Sequence, residues 1–196
     1  MGSIIAATNN QGKIKEIKEI LKQYHIISLQ EAGIHVEVEE TEDSFEGNSL
    51  KKAREIYKLT KQTCLADDSG LCIDYLGGRP GVNTKRFLGE TATQQQRNQA
   101  LLELLKEVPK KQRKAKVVTC ISFITKTGEE HQVIGEIHGY IAYKPIGENG
   151  FGFDPIFELE NGKTLAQLSA KEKNQISHRR VALEKLKIFL DKKKEF

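Results

Sequence analysis

The sequence has little of what would place a chain in a membrane or outside the cell. None of its 196 residues fall in an apolar run near the roughly 20 that cross a bilayer. No charged-then-apolar leader opens it, and Ala6 stands where a myristoylation signal needs Ser or Thr. Cys64, Cys72 and Cys120 are an odd number without C-x-x-C spacing, so they indicate neither a disulfide framework nor a zinc site. They read as core thiols in a reducing compartment, and a cytoplasmic location is the default. Charge of one sign is also scarce. The 31 basic and 27 acidic residues leave +4, too little to demand nucleic acid as a partner. Much of that excess is Lys192-Lys193-Lys194, a solvated tail.

What is present suits one substantial core with room for a second small lobe, at 38% hydrophobic and 30% charged residues. The most informative stretch is Leu65-Ala66-Asp67-Asp68-Ser69-Gly70-Leu71. Cys64 to Ala66 read as the end of a buried strand, with Asp67 and Asp68 at the turn that follows, the edge where α/β sheets bind ligands. Neighbouring carboxylates repel unless a cation, an amide or a proton intervenes. A hard metal ion answers that need, and so does an Asx turn in which Gly70 takes a positive φ. The residues alone leave both open.

Near the start, Ser3 to Ala7 form a short β-like run and Thr8-Asn9-Asn10-Gln11-Gly12-Lys13 lead into a helix whose apolar face is Ile14, Ile17, Ile20 and Leu21. Small polar residues and a lysine at a helix N-terminus suit an anion, although the Walker A pattern is absent and a plain strand-turn-helix join uses similar residues. Residues 25 to 38 read as a strand, a Gly33 turn and a second short strand around Val36 and Val38. The carboxylates from Glu37 to Asp43 read as a solvated edge. Ser44 caps a helix from Phe45 to about Leu59, with Asn48 and Lys52 on one polar stripe, able to bind phosphate or merely to snorkel. Thr93 and Gln96 form a capping box before a structural helix, and residues 113 to 124 and 131 to 143 read as a long hairpin.

Two later stretches carry chemistry. Gly147-Glu148-Asn149-Gly150-Phe151-Gly152-Phe153-Asp154-Pro155 puts two rings in a glycine-rich loop, where they either stack on a nucleobase or plug the core beneath. Ser169 to Glu172 is a capping box, followed by Lys173 and Ser177-His178-Arg179-Arg180, donors for a keto oxygen or a phosphate, or simply surface residues.

Together these stretches resemble, over essentially the whole chain, the inosine triphosphate pyrophosphatase family, also called Ham1-like or dITP/XTP pyrophosphatases. The matching motifs are Ala7 to Lys13, Phe45-Glu46-Gly47-Asn48, Ala66 to Leu71, Gly150 to Pro155 and Ile176-Ser177-His178-Arg179. The resemblance implies a single α/β domain spanning residues 1–196, with a long mixed twisted β-sheet flanked by helices and two lobes around a deep substrate cleft. It also implies a homodimer acting on neither nucleic acid nor membrane, with Mg²⁺-dependent hydrolysis of ITP, dITP and XTP to the monophosphate and pyrophosphate. By matching position, Thr8, Asn9, Asn10, Gln11, Gly12 and Lys13 hold the triphosphate, with Asn48 and Lys52 beside it. Glu40 and Asp68 are metal ligands, which removes Glu40 from the solvated edge. Asp68 is the general base, Asp67 supports it and Ser69 touches the substrate. Phe151, Gly152, Phe153, Asp154, Lys173, His178 and Arg179 surround the base, where Arg179 and its neighbours satisfy the 6-keto oxygen.

The chain departs from the family pattern at Ser49, usually alanine, at Phe153, often tyrosine, and at Val82-Asn83-Thr84-Lys85-Arg86. A Maf-like pyrophosphatase of other base specificity and a non-catalytic nucleotide-binding module are the rival readings. The second leaves Glu40, Asp67 and Asp68 without a purpose, since carboxylates repel a polyanion unless metal is present.

Overall fold

A computed structural model describes residues 2–192, so Met1 and the Lys193 and Lys194 of the basic tail lie outside the described residues. Strand and helix alternate as far as β4, and two more strands and two helices follow: β1 (Ile4–Ala6), α1 (Gln11–Ile20), β2 (Ile26–Ser28), α2 (Phe45–Thr60), β3 (Cys64–Ile73), α3 (Gln94–Leu104), β4 (Lys114–Ile124), β5 (Glu130–Ile141), β6 (Phe157–Glu158), α4 (Ala170–Ile176) and α5 (His178–Lys192). The described strands form one six-stranded sheet in the order β2-β1-β3-β4-β5-β6. It is mixed: β1 runs parallel to both β2 and β3, and β5 runs antiparallel to β6. An α/β architecture with helices flanking a mixed sheet is thus what the chain adopts.

Two compact units divide the chain. The first comprises residues 1–68, 119–135 and 178–196, and the second 69–118 and 136–177. In the first, the period-2 pleat sorts β1 between two apolar layers. Ile4 and Ala6 join Ile17 of α1, Leu21 at its C-cap, and Leu183 and Leu186 of α5 on one face. Ile5 and Ala7 join Ala53 and Ile56 of α2 on the other. A strand buried on both faces reads as a continuous apolar run, which is why Ile4 to Ala7 show no alternation. In the second unit, Leu101, Leu102 and Leu105 bury against Leu71, Ile141, Phe157 and Leu165. The capping boxes expected at Thr93 and Ser169 are formed.

Two expectations need correction. The second short strand around Val36 and Val38 is absent: residues 34 to 42 contain no helix or strand, and Ile34 and Val36 are apolar because they cover the α2-side core. Nor does the strand end at Ala66. β3 continues through Asp67, Asp68, Ser69 and Gly70 to Ile73, with both acids buried inside it, so there is no acidic turn. Polar residues signalled a break, but main-chain pairing is indifferent to side-chain charge when that charge finds partners.

All three cysteines are free thiols. Burial pushes that of Cys64 up to about 12, in keeping with a core thiol.

Candidate active site

The strand pleat decides the site. Leu65 belongs to the layer beneath α1 and α5, and Cys64 and Ala66 to the layer beneath α2. By the same alternation Asp67 faces α1 and α5, while Asp68 faces α2. The two carboxylates are adjacent in sequence yet answer to different helices.

Asp67 is fully buried within a cluster of cations. Its Oδ2 lies 3.0 Å from Lys13 Nζ and 3.0 Å from Arg179 Nη2, with Arg179 Nε at 3.3 Å. Arg179 Nη1 donates in turn to the buried Glu16 of α1. Lys13 reaches inward because its turn is capped: Thr8 Oγ1 accepts from the Asn10 N–H, and Asn10 Oδ1 accepts from the Lys13 N–H. Burial alone raises the carboxyl pKa of Asp67, but Lys13, Arg179 and Lys52 more than reverse this and hold it well below the ordinary carboxylate range. Its Oδ1 is buried with no hydrogen-bond partner among the described residues.

On the other face, the Lys52 ammonium stands between two acids, 2.7 Å from Glu40 Oε1 and 3.8 Å from Asp68 Oδ1. The same ammonium donates to the Asp67 carbonyl at 2.7 Å, and Thr119 Oγ1 donates to that of Asp68 at 3.2 Å. Burial pushes the Asp68 carboxyl up, assisted by Glu40 and opposed mainly by Lys52. For Lys52, desolvation is outweighed by Asp68, Asp67 and Glu40, so its pKa rises and it stays protonated at neutral pH.

Glu40 and Asp68 therefore converge on one cation from separate segments. This is a hard-oxygen donor pair, and Mg²⁺ is commonly held by one or two carboxylates with waters and substrate phosphates completing its shell. Among the described residues no group of three or more His, Cys, Asp or Glu side chains could hold a metal alone. The residues fit a divalent ion that substrate completes.

The remaining expected residues distribute as follows. Asn9 and Gln11 are exposed at the start of α1, with Gly12 half-buried behind them. Asn48 is buried, and its side chain is engaged by the Glu42 main chain. Ser69 is half-buried, the next residue along β3. Arg179, expected beside the base, spends its guanidinium on Asp67 and Glu16, while His178 is buried as the first residue of α5. The second unit holds its own group. Asp154 Oδ2 accepts from the Phe151 N–H at 2.8 Å and from Lys173 Nζ at 2.6 Å, and that ammonium lies 4.3 Å from the centroid of the Phe151 ring. The Gly152 carbonyl accepts from Asn98, whereas Phe153 packs on the core of the unit. The two rings thus divide the alternatives, one serving the core and one lying under a cation.

Sequence reasoning missed Glu16 and Thr119. Glu16 carried a signal: at helical spacing it shares the inner stripe of α1 with Lys13, Ile17 and Ile20, where an unpaired carboxylate is not tolerated. Thr119 carried none, being one β-branched residue within a strand.

The Ham1 family model matches residues 4–189. The chain belongs to the Ham1 family. It is 46% identical to the dITP/XTP pyrophosphatase of Bacillus subtilis (strain 168), over 97% of this chain and 98% of that one. It is 47% identical to that of Clostridium perfringens (strain 13 / Type A), over 95% and 96%. Among solved structures, the Ham1 protein of Staphylococcus aureus superposes with a TM-score of 0.88 at 40% identity, covering 98% of this chain and 100% of its own. The match spans the acid-bearing strand, α1, α2 and most of α5, and a divalent metal is consistent with a family of nucleotide pyrophosphatases.

Proposed function

We propose that this Ham1-family chain is a Mg²⁺-dependent nucleoside triphosphate pyrophosphatase that converts ITP, dITP and XTP to their monophosphates and pyrophosphate, working in the cytoplasm as a homodimer. The observation that carries the reading is the convergence of Glu40 and Asp68 on the Lys52 ammonium. The relatives named dITP/XTP pyrophosphatase supply the substrate class.

Glu40 and Asp68 would hold the metal, which when bound acidifies a coordinated water and offsets phosphate charge. Asp68 takes the proton from the water that attacks the α-phosphorus. Lys13 and Lys52 neutralise the departing pyrophosphate, so catalysis is largely electrostatic positioning. The free amides at the N-terminus of α1 add a further anion-binding element. Asp67 is the anchor that keeps Lys13 directed, and Arg179 with Glu16 braces Asp67. Phe151, Asp154 and Lys173 form the group offered to the base. A site built to donate to a 6-keto oxygen rejects an amino group there because its buried donors are left unpaired.

A panel of nucleoside triphosphates with and without Mg²⁺, analysed for products, tests this. ITP, dITP and XTP should yield pyrophosphate, EDTA should abolish turnover, and Asp68→Asn should lower kcat by more than about a hundredfold while nucleotide binding survives. Orthophosphate as the first product, or a preference for TTP and UTP, would overturn it.

A further inference from the structure

Three consecutive residues ahead of α2 are tied to the first half of that helix. Glu40 pairs with Lys52 at 2.7 Å, and Thr41 Oγ1 accepts from Lys51 Nζ at 2.7 Å. Glu42 is gripped at its main chain: its N–H donates to Asn48 Oδ1 at 2.9 Å and its C=O accepts from Asn48 Nδ2 at 3.2 Å. Residues 34 to 42 have no helix or strand, so side chains must satisfy peptide groups that a ladder would otherwise pair. Of the three ties, only that of Asn48 uses a short, fully buried side chain; the two lysines are long and flexible. Gly47 adds a steric condition. A Cβ there would lie 2.7 Å from the Glu42 Cβ and 3.1 Å from Ser44 Oγ, so this residue must lack a side chain for Glu42 to come this close.

We infer that Gly47 and Asn48 form a clasp on Glu42 that positions Glu40 opposite Asp68, making Asn48 a positioning residue and not a phosphate ligand. The inference rests on the reading of Glu40 as a metal ligand. The Asn48 carboxamide accepts from and donates to the Glu42 backbone and also hydrogen-bonds the Asp68 carboxyl, so its main hydrogen-bonding directions are committed before substrate arrives. It therefore acts on the reaction through the two acids: Glu40, two residues before the gripped backbone, and Asp68, whose carboxyl it hydrogen-bonds directly.

The test is Mn²⁺ titration of the nucleotide-free protein by paramagnetic resonance, which reads the metal site without turnover. Asn48→Ala and Gly47→Ala should each raise the Mn²⁺ dissociation constant about tenfold, as when a group that orients a metal ligand is removed. At saturating metal, KM for the nucleotide should move by less than about twofold, because no substrate contact is lost. Hydrogen exchange at the Glu42 amide should accelerate in Asn48→Ala, and in a Glu40→Gln background Gly47→Ala, at a residue with no side chain to reach Asp68, should add nothing to the Mn²⁺ effect. Increased KM with unchanged Mn²⁺ affinity would overturn the clasp. Wild-type Mn²⁺ affinity in Glu40→Gln alone would instead overturn the ligand reading beneath it, and Glu42 exchange distinguishes the two failures.

Discussion

Asp67 and Asp68 are covalent neighbours whose charges are compensated on opposite faces of β3, one by Lys13 and Arg179, the other by Lys52. The pleat separates them, so the repulsion inferred from their adjacency is not the main effect in the folded chain. Arg113 is the contrasting residue. It is fully buried and donates to main-chain carbonyls at Leu105, Val108, Ile141 and Ala142, with the Tyr143 ring 4.1 Å away. Desolvation holds its pKa below the ordinary arginine value. Here the planar guanidinium is a splice for chain ends, with several donors in fixed directions that an ammonium cannot match. Arg113→Lys is expected to lower unfolding free energy by about 3 kcal/mol in urea titration, since buried carbonyls lose their donors. A change within about 0.5 kcal/mol would refute that role. Nothing in the Gln112-Arg113-Lys114 stretch marks Arg113 as buried: three polar residues in a row read as surface.

Among the elements, helices were the most legible, because their caps and apolar stripes are local. Ser44, Thr93 and Ser169 each cap where expected, and the structure adds Asn10 as the cap of α1. The loop from Gly147 to Asp154 showed its glycine and phenylalanine pattern in the sequence but not its mechanics. Gly150 sits at φ +78°, and a Cβ there would come within 2.0 Å of Asp154 Oδ2, the atom that holds the Phe151 N–H and Lys173. Gly150→Ala should therefore displace Asp154 and release Lys173. Strain at the positive φ adds about 1 kcal/mol. The expected result is a KM for ITP raised at least about tenfold with a smaller change in kcat, measured by steady-state kinetics. An unchanged KM would remove this group from substrate recognition.

At the scale of the whole molecule, neither compact unit is contiguous in sequence, and β3, β4 and β5 each supply residues to both. The first unit takes Ala182, Leu183, Leu186 and Leu190 of α5 into the core it shares with β1 and α1. Removing residues 178–196 strips those four side chains, a loss of roughly 6 kcal/mol of apolar burial, comparable with the total stability of a domain. The truncated chain should show no cooperative melting by circular dichroism; a sharp transition near that of the intact protein would contradict the packing. The sequence by itself determined the helix caps at Ser44, Thr93 and Ser169, the apolar stripes of the helices and the family, because these follow from local periodicity and from motifs carried in short stretches. Only the tertiary structure decided that β3 runs through the acids, that Asp67 and Asp68 face different helices, and that Glu16 and Arg179 join them. Charge tolerated inside a strand depends on partners as many as 112 positions away, as in the Asp67–Arg179 pair, and no local pattern encodes that distance.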